Sequence, residues 1–143
     1  MVLQRVKEAS VRVDDMVIAS IGMGLLLLVG IEKGDTEMIA ERIAGKIVRL
    51  RVFADLNGKM NLDIRQVAGE VLSVSQFTLA GDISKGNRPG FDNAGTPQEA
   101  ERLWRRFNDV LVNIGIAVGL GKFGAHMEVG LVGDGPVTFI VNS

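Results

Sequence analysis

Apolar and polar positions along the first thirty residues predict several closely spaced strands. Val2 to Val6 and Ser10 to Val13 alternate between apolar and polar side chains, as expected of strands with one buried face. Asp14-Asp15 indicates a turn, and Met16 to Ala19 follows as a further strand. The run Leu25 to Val29, bounded by glycines, is typical of a strand that is buried on both faces. Strands so close together in sequence favour an antiparallel sheet.

Apolar spacing and capping residues predict two helices. Asp35 is expected to cap the first helix, which would begin at Thr36. The apolar positions that share one face of this helix are Ile39, Ile43, Ile47 and Leu50. The second helix would begin at Thr96-Pro97-Gln98-Glu99, which combines a capping box with proline at the first helical position, and it would end at Gly115. Its apolar positions are Leu103, Phe107, Leu111 and Ile114.

The remaining apolar segments predict more strands. A strand is expected to start at Arg51-Val52-Phe53, followed by a tight turn at Asn57-Gly58. Further strands are predicted at Gly69 to Phe77, Ile116 to Val118, Met127 to Val132 and Val137 to Val141. The Gly-Asp-Gly-Pro step between the last two indicates a hairpin turn. The order βββ-α-ββ-α-βββ predicts an α+β fold, in which two helices cover a mostly antiparallel sheet or barrel, as a single domain over residues 1–143.

Composition and charge exclude several classes of function. Hydrophobic residues are 47% of the chain, enough for a globular core, and there is no cysteine for thiol catalysis, thiolate metal sites or disulfides. The longest apolar run is far shorter than a membrane span, and the start of the chain lacks the apolar core of a signal peptide. A net charge of −1 creates no global attraction to nucleic acid. We therefore expect a cytoplasmic protein without a membrane or DNA partner.

The segment Ser75-Gln76-Phe77-Thr78 is the first candidate for chemistry. It ends a predicted strand and leads into the long polar loop Gly81 to Gly95, where a strand end can present reactive groups. A hydroxyl could act as nucleophile, and exposed backbone N–H groups could form an oxyanion hole. Alternatively, the hydroxyls only satisfy local hydrogen bonds. A Ser-His-acid triad would have to use His126, the only histidine. No cluster suggests a metal or another cofactor.

Gly135-Pro136 is the second candidate. One interpretation is a turn with proline at a sheet edge. Another is a cis peptide bond, because X–Pro bonds prefer the trans form by only about 0.5–1 kcal/mol. Glycine has no Cβ, so the backbone there could approach a ligand closely.

The motifs SQFTLA and GDGPVT, together with most of the chain around them, resemble the bacterial and eukaryotic D-aminoacyl-tRNA deacylase family. The resemblance implies a homodimeric carboxylic ester hydrolase that acts on aminoacyl-tRNA without a cofactor. It implies a cis Gly135-Pro136 bond inserted into the partner subunit's site, whose base is lined by Ser75, Gln76, Phe77 and Thr78. Phe123 and Met127 would flank the terminal adenosine, and Arg5 would fix the Gly-Pro segment.

Backbone atoms near Phe77 and Thr78 would hold the ester carbonyl, with Thr78 orienting rather than attacking, although the family's threonine has also been proposed as the nucleophile. The Gly135-Pro136 carbonyls would bind the substrate ammonium and exclude an L side chain, so glycyl-tRNA should also be cleaved. The chain departs from the family's usual residues at Ala80, Gly90 and Gly133. These departures bear on the pocket rim and on how strictly substrates are selected.

Three alternatives stay open beside this hypothesis. The first is a related tRNA deacylase with a trans Gly-Pro bond and altered chiral selectivity. The second is a noncatalytic tRNA- or DNA-binding module, which would use the basic clusters on the two predicted helices. Those clusters are Arg42, Lys46 and Arg49 on the first helix, and Arg102, Arg105 and Arg106 on the second. The third is a small-molecule hydrolase built on Ser75 or Thr78 with His126.

Overall fold

The structure is a computed structural model that describes residues 1–84 and 86–143. The predicted polar loop Gly81 to Gly95 therefore contains one position, Lys85, that lies outside the described residues. Eight strands and two α-helices are present in this part of the chain. The strands are β1 (Val2–Val13), β2 (Met16–Ile21), β3 (Gly24–Val29), β4 (Phe53–Ala54), β5 (Met60–Leu62), β6 (Glu70–Ser75), β7 (Val118–Leu120) and β8 (Glu128–Ile140). The helices are α1 (Glu37–Arg49) and α2 (Pro97–Asn113).

The long first strand organises the main sheet. β1 pairs antiparallel with β2 near its end and with β3 near its start, while β8 pairs antiparallel with it along the opposite edge. β6 then joins β3, and β7 joins β6, both in parallel. β2 also contacts β6 and β7, so the sheet curls into a nearly closed barrel. The predicted α+β class with two helices over a barrel-like sheet is confirmed, and the antiparallel pairs outnumber the parallel ones among the described strands.

The sheet is buried on both faces at β3, as the run of leucines predicts. Leu25, Leu27 and Val29 face a core that contains the apolar sides of α1 and α2. Leu26 instead joins a second cluster inside the curled sheet, with Val6 and other residues of β1 and β6. A strand between two cores is held from both sides. β3 and its parallel neighbour β6 therefore form the most enclosed part of the sheet.

Capping fixes where the helices begin. Thr96 is the N-cap of α2, and its hydroxyl and Glu99 form the predicted capping box, with Thr96 Oγ1 and Glu99 Oε2 2.8 Å apart. At α1 the predicted cap is wrong by one residue, because Thr36 is the N-cap and accepts from the Ile39 N–H. The Asp35 carboxylate accepts instead from the Glu32 N–H in the preceding turn. No helix in the described ranges is both long and apolar enough to cross a membrane.

The predicted hairpin at Gly133 to Pro136 is wrong. β8 continues through this segment as one strand and keeps its pairing with β1 on both sides of it. Pairing with β1 overrides the turn signal. The hydrogen-bonded pairing is irregular at this place, with register shifts between Gln4 and Glu8 of β1. Other elements also differ from prediction. The first two predicted strands merge into β1, and β6 stops at Ser75, where a short 3₁₀ helix follows. β7 covers Val118–Leu120 rather than Ile116 to Val118, and β5 was not predicted.

Candidate functional site

The base of the candidate site lies where β6 ends. Ser75 is the last residue of that strand, and Phe77 to Ala80 form a single 3₁₀ turn. The Gln76 N–H donates to the Val29 carbonyl over 2.8 Å, which ties the segment to the end of the buried strand β3. Because N–H groups in the first turn of a helix have no acceptor within it, those of Phe77 and Thr78 are directed away from the turn. The strand end thus presents main-chain donors beside polar side chains.

The side chains of this base are bonded to each other. Gln76 Nε2 donates to Thr78 Oγ1 over 2.5 Å. The Thr78 hydroxyl therefore has an amide beside it rather than a base that could take its proton. His126 is exposed on the loop between β7 and β8 and has no hydrogen bond among the described residues. The geometry does not assemble the Ser-His-acid triad that the hydrolase alternative requires.

A buried tryptophan joins this base to the loop that follows β7. Trp104 Nε1 on α2 donates to Ser73 Oγ over 3.0 Å, and both residues are buried. The Trp104 ring lies 6.0 Å from the Phe123 ring, centroid to centroid, at a tilt of 43°. The Ser73 carbonyl accepts from the Gly121 N–H over 2.9 Å. Phe123 is thereby held next to the strand that carries the base.

Met127 lies on the same loop, just before β8. Its Sδ accepts from the Lys122 N–H over 3.3 Å, and it would lie only 2.9 Å from a Cβ placed on Gly121. A side chain at position 121 would therefore force the flexible Met127 side chain to move from this place. The structure therefore places the loop that carries Phe123 and Met127 beside Ser73 and Val74 of β6, the strand that ends at Ser75.

Gly135 and Pro136 lie elsewhere, exposed in the middle of β8, and the peptide bond between them is cis. Arg5 on the neighbouring strand holds this segment. Its Nε lies 2.9 Å from Asp134 Oδ2 and 3.1 Å from the Asp134 carbonyl, and its Nη1 donates to the Val52 carbonyl over 2.6 Å. The Arg5 side chain is only 11% exposed, so these bonds are largely shielded from water. Arg5 therefore contacts the segment as the resemblance implies.

Within one chain the two regions belong to strands that are not neighbours in the sheet. The path from β8 to β6 crosses β1 and β3, which is three inter-strand spacings. At about 4.8 Å each, the path along the curled sheet is roughly 14 Å. The predicted site residues thus fall into two groups, and the chain alone does not bring Gly135-Pro136 to Thr78.

The polar loop after the 3₁₀ turn forms one rim of the base. Asp82 and Gly90 exchange both backbone hydrogen bonds, at 2.8 and 2.9 Å, so the loop closes as a short antiparallel pair. Hydrogen bonds from Ser84 to the Asp82 carboxylate lower the pKa of that carboxyl group. Phe91 then packs against Phe77, with ring centroids 5.0 Å apart at 60°.

Sequence reasoning missed four residues of this arrangement. Asp134 and Val52 accept bonds from Arg5, Trp104 supports the base from behind, and Phe91 caps its rim. Trp104 is the only tryptophan and lies on the apolar face of a predicted helix, which is a signal that could have been used. The others carry no periodic signal.

The three departures from the family pattern are accommodated without strain. Ala80 is buried at the end of the 3₁₀ turn. A Cβ on Gly90 would reach only ordinary contact with the Asp82 carbonyl at 3.9 Å, and one on Gly133 would meet nothing within 4 Å. A side chain therefore has room at positions 90 and 133, whereas Ala80 is packed in the interior.

The basic cluster predicted on the second helix is largely neutralised. Arg102 pairs with Glu37 and Arg106 with Glu41, both across to α1, and Arg105 pairs with Glu101 on its own helix. The cluster on α1, formed by Arg42, Lys46 and Arg49, is exposed. A separate cavity of about 160 Å³ lies between the helices and the two chain ends, and it contains none of the predicted site residues. In the described ranges, no group of three His, Asp or Glu side chains could hold a metal ion.

Comparisons with known proteins match this chain to one family. The family model described as D-Tyr-tRNA(Tyr) deacylase matches residues 2–142. The D-aminoacyl-tRNA deacylase of Bacillus cytotoxicus is 58% identical over 99% of this chain and 97% of its own, and that of Alteromonas mediterranea is 53% identical over 98% and 97%. A solved structure described as a c-Myc DNA unwinding element binding protein superposes with a TM-score of 0.94 at 40% identity, covering 99% of this chain and 97% of its own.

Proposed function

The chain belongs to the D-Tyr-tRNA(Tyr) deacylase family, and we propose that it cleaves D-aminoacyl-tRNA at a site completed by a second copy of the chain. The activity is that of a hydrolase: water adds to the ester carbonyl, the bond to the ribose oxygen breaks, and a free amino acid and tRNA result. Each chain would supply Ser75 to Thr78 as the base of one site and Gly135-Pro136 as the wall of the other. We propose that the whole chain works as one domain, in the cytoplasm.

The base supplies positioning and electrostatic stabilisation. The N–H groups of Phe77 and Thr78 would donate to the oxygen that becomes negative when water attacks the ester. Gln76 orients Thr78 through the hydrogen bond between their side chains. An ester of a ribose hydroxyl is already activated, and the neighbouring hydroxyl of the ribose can pass the proton to the leaving oxygen. Such a reaction needs orientation more than a protein base.

Phe123 and Met127 would flank the terminal adenosine. Both are half-buried and stand on the loop tied to Ser73 through Gly121. An aromatic ring and a polarizable thioether suit the face of a purine. The ester at the ribose would then lie toward Thr78.

The separation of the two regions carries the proposal of a shared site. Thr78 follows β6 and Gly135 lies on β8, three strand spacings of about 4.8 Å away along the sheet, and no hydrogen bond joins the two segments among the described residues. The Gly-Pro segment is exposed, although Arg5 holds it with partly buried hydrogen bonds. A segment that is fixed yet exposed is suited to enter a partner's pocket in a twofold dimer.

The edge of β8 supports a homodimer. Among the described strands β8 pairs only with β1, which leaves the other edge of this 13-residue strand open. Long open edges with apolar side chains tend to be covered. The exposed apolar side chains on this strand are Leu131, Val132, Phe139 and Ile140.

Selectivity would follow from main-chain atoms. The carbonyl groups of Gly135 and Pro136 would accept from the substrate ammonium and occupy the direction that an L side chain takes. A D side chain points away from them, and glycine has none to exclude. Glycyl-tRNA should therefore be cleaved as well.

DNA binding is the second candidate, since the structural relative at 40% identity is described as binding a DNA unwinding element. The net charge of −1 and the paired arginines of α2 give it little electrostatic support. Titration of a DNA duplex at two salt concentrations would test it. Saturable binding that weakens steeply with salt would favour this candidate.

A deacylation assay with matched D-, L- and glycyl-tRNA tests the proposal. We expect rapid release of the D-amino acid, slower release of glycine and protection of the L-ester. His126→Ala should leave the rate within about twofold, because no step uses that side chain. Thr78→Ala should reduce hydrolysis without abolishing it. Complete loss of hydrolysis with unchanged tRNA binding would instead make Thr78 the nucleophile.

A further inference from the structure

The rim of the base carries two aromatic rings that the catalytic proposal leaves largely unused. Phe77 and Phe91 pack edge to face, with ring centroids 5.0 Å apart at 60°. Phe77 nevertheless stays 55% exposed and Phe91 38% exposed. Exposing two adjacent phenylalanine rings to water is unfavourable. Such a pair beside the end of β6 is typical of a surface on which nucleic acid bases stack.

The loop holds Phe91 in place. Asp82 and Gly90 exchange two backbone hydrogen bonds directly before it, and the Phe91 carbonyl accepts from the Ala94 N–H over 3.0 Å. A Cβ on Gly81 would lie 3.1 Å from the Phe91 ring, so the ring is seated against a position that has no side chain. Phe91 is therefore presented in a fixed orientation.

We propose that Phe91 and Phe77 form an aromatic platform for the unpaired base that precedes the terminal adenosine of the tRNA. This inference rests on the proposed function, since it extends the same site by one nucleotide. Phe77 is bonded directly to Thr78, so the rim adjoins the position proposed for the ester and for the ribose that carries it. Any base has a flat face, and stacking on aromatic rings is the usual way in which proteins hold unpaired nucleotides.

The charge of the loop agrees with this occupant. Arg88 is exposed, two residues before Gly90, and forms no ion pair within the described part of the chain. A guanidinium group there is available to the phosphate that links the stacked nucleotide to the adenosine. The platform would fix the direction of the RNA, while the ester chemistry stays at the strand end.

Two substrates separate this inference from the proposed function: a full D-aminoacyl-tRNA and the short 3′-D-aminoacyl-adenosine. Phe91→Ala should raise KM for the tRNA by about ten- to a hundredfold, the range expected for one stacked base. For the short substrate, which lacks the preceding nucleotide, KM and kcat should change by no more than about threefold, through the lost packing of Phe91 on Phe77 alone. Phe91→Tyr should behave like the wild type, whereas Phe91→Leu, which keeps apolar packing, should resemble Phe91→Ala.

Ile83→Ala is the matched control, because it removes another exposed apolar side chain from the same loop. It should change neither substrate's KM by more than about twofold. The inference is overturned if Phe91→Ala affects both substrates equally, affects neither, or acts only with large amino acid side chains. It is also overturned if Ile83→Ala matches Phe91→Ala. Hydrolysis of the short substrate by these variants reports on the proposed function separately.

Discussion

The strand end at Ser75 to Thr78 and the Gly135-Pro136 segment of β8 are built in opposite ways. The first continues a strand that is enclosed between two cores and is supported from behind by Trp104. The second is exposed on an open edge strand, and its contacts with the rest of the chain centre on Arg5. One region is fixed by packing on both sides, whereas the other is fixed by strand pairing at its two ends and by one largely buried side chain. We infer that the first holds the ester and the second supplies selectivity to a partner.

Adding one methyl group to the segment should have the largest effect. A Cβ on Gly135 would lie 2.8 Å from Val137 Cγ2, at a positive φ of 132° that side chains rarely adopt. Gly135→Ala should therefore displace the segment and lower kcat/KM for D-aminoacyl-tRNA by about a hundredfold. Steady-state deacylation kinetics measure this loss.

Gly133→Ala is its matched control on the same strand, because nothing lies within 4 Å of a Cβ there. It should stay within about twofold of the wild type. Equal losses in the two variants would mean that β8 as a whole, and not the Gly-Pro segment, is sensitive.

Replacing Arg5 should weaken selectivity by a smaller amount. The guanidinium group bonds both Asp134 and the Val52 carbonyl, and the single ammonium of Arg5→Lys cannot hold both. We expect about a tenfold fall in the ratio of D- to L-ester hydrolysis, measured with matched substrates. An unchanged ratio would show that Arg5 does not fix the segment.

Changes to the residues that support the end of β6 should lower the stability of the fold. Trp104→Phe keeps an aromatic ring but leaves the buried Ser73 hydroxyl without its 3.0 Å donor. The free energy of unfolding should fall by about 1–2 kcal/mol. Chemical denaturation of Trp104→Phe, Ser73→Ala and the double variant measures the coupling between the two side chains. Additive losses would contradict a direct interaction.

Lowering the pH should have the smallest effect, a loss of stability that arises at the turn leading into β6. The hydrogen bond from the Arg65 side chain to the Asp63 carboxylate is the main cause that lowers the pKa of Asp63. The unfolded chain therefore binds more protons at this carboxyl group, so stability falls as the pH drops below about 4. In Asp63→Asn the free energy of unfolding should depend less on pH over that range, as acid denaturation followed by circular dichroism would show. An identical pH dependence would exclude this contribution.

The contrast between the two regions also explains what the sequence could predict. The buried strand and the second helix follow from local patterns, since Leu25 to Val29 is apolar throughout and Thr96 with Glu99 forms a capping box. The Gly-Asp-Gly-Pro segment was wrongly predicted as a turn because its pairing partner, β1, lies more than a hundred residues away. Turn-forming residues report only on local conformation, so they do not reveal pairing with a strand that is distant in sequence.

Site residues divide in the same way. The motifs that resemble the family pointed to the strand end and the Gly-Pro segment, and the structure places the loop of Phe123 and Met127 beside Ser73 and Val74 of the same strand. The contacts made by Phe91 and by the helix arginines depend on which elements pack together. Arg106, for example, pairs with Glu41 across the two helices, 65 positions earlier in the chain. No spacing within either helix predicts that pair.

Mixing two inactive variants tests the shared site most directly. Thr78→Trp blocks the base at an exposed position, and Gly135→Ala displaces the segment. In a twofold dimer with shared sites, each mixed dimer combines one intact base with one intact segment, so an equal mixture should regain about a quarter of the wild-type activity. If each site were built within one chain, every mixed dimer would carry two defective sites. Activity that stayed at the level of the separate variants would then contradict the account.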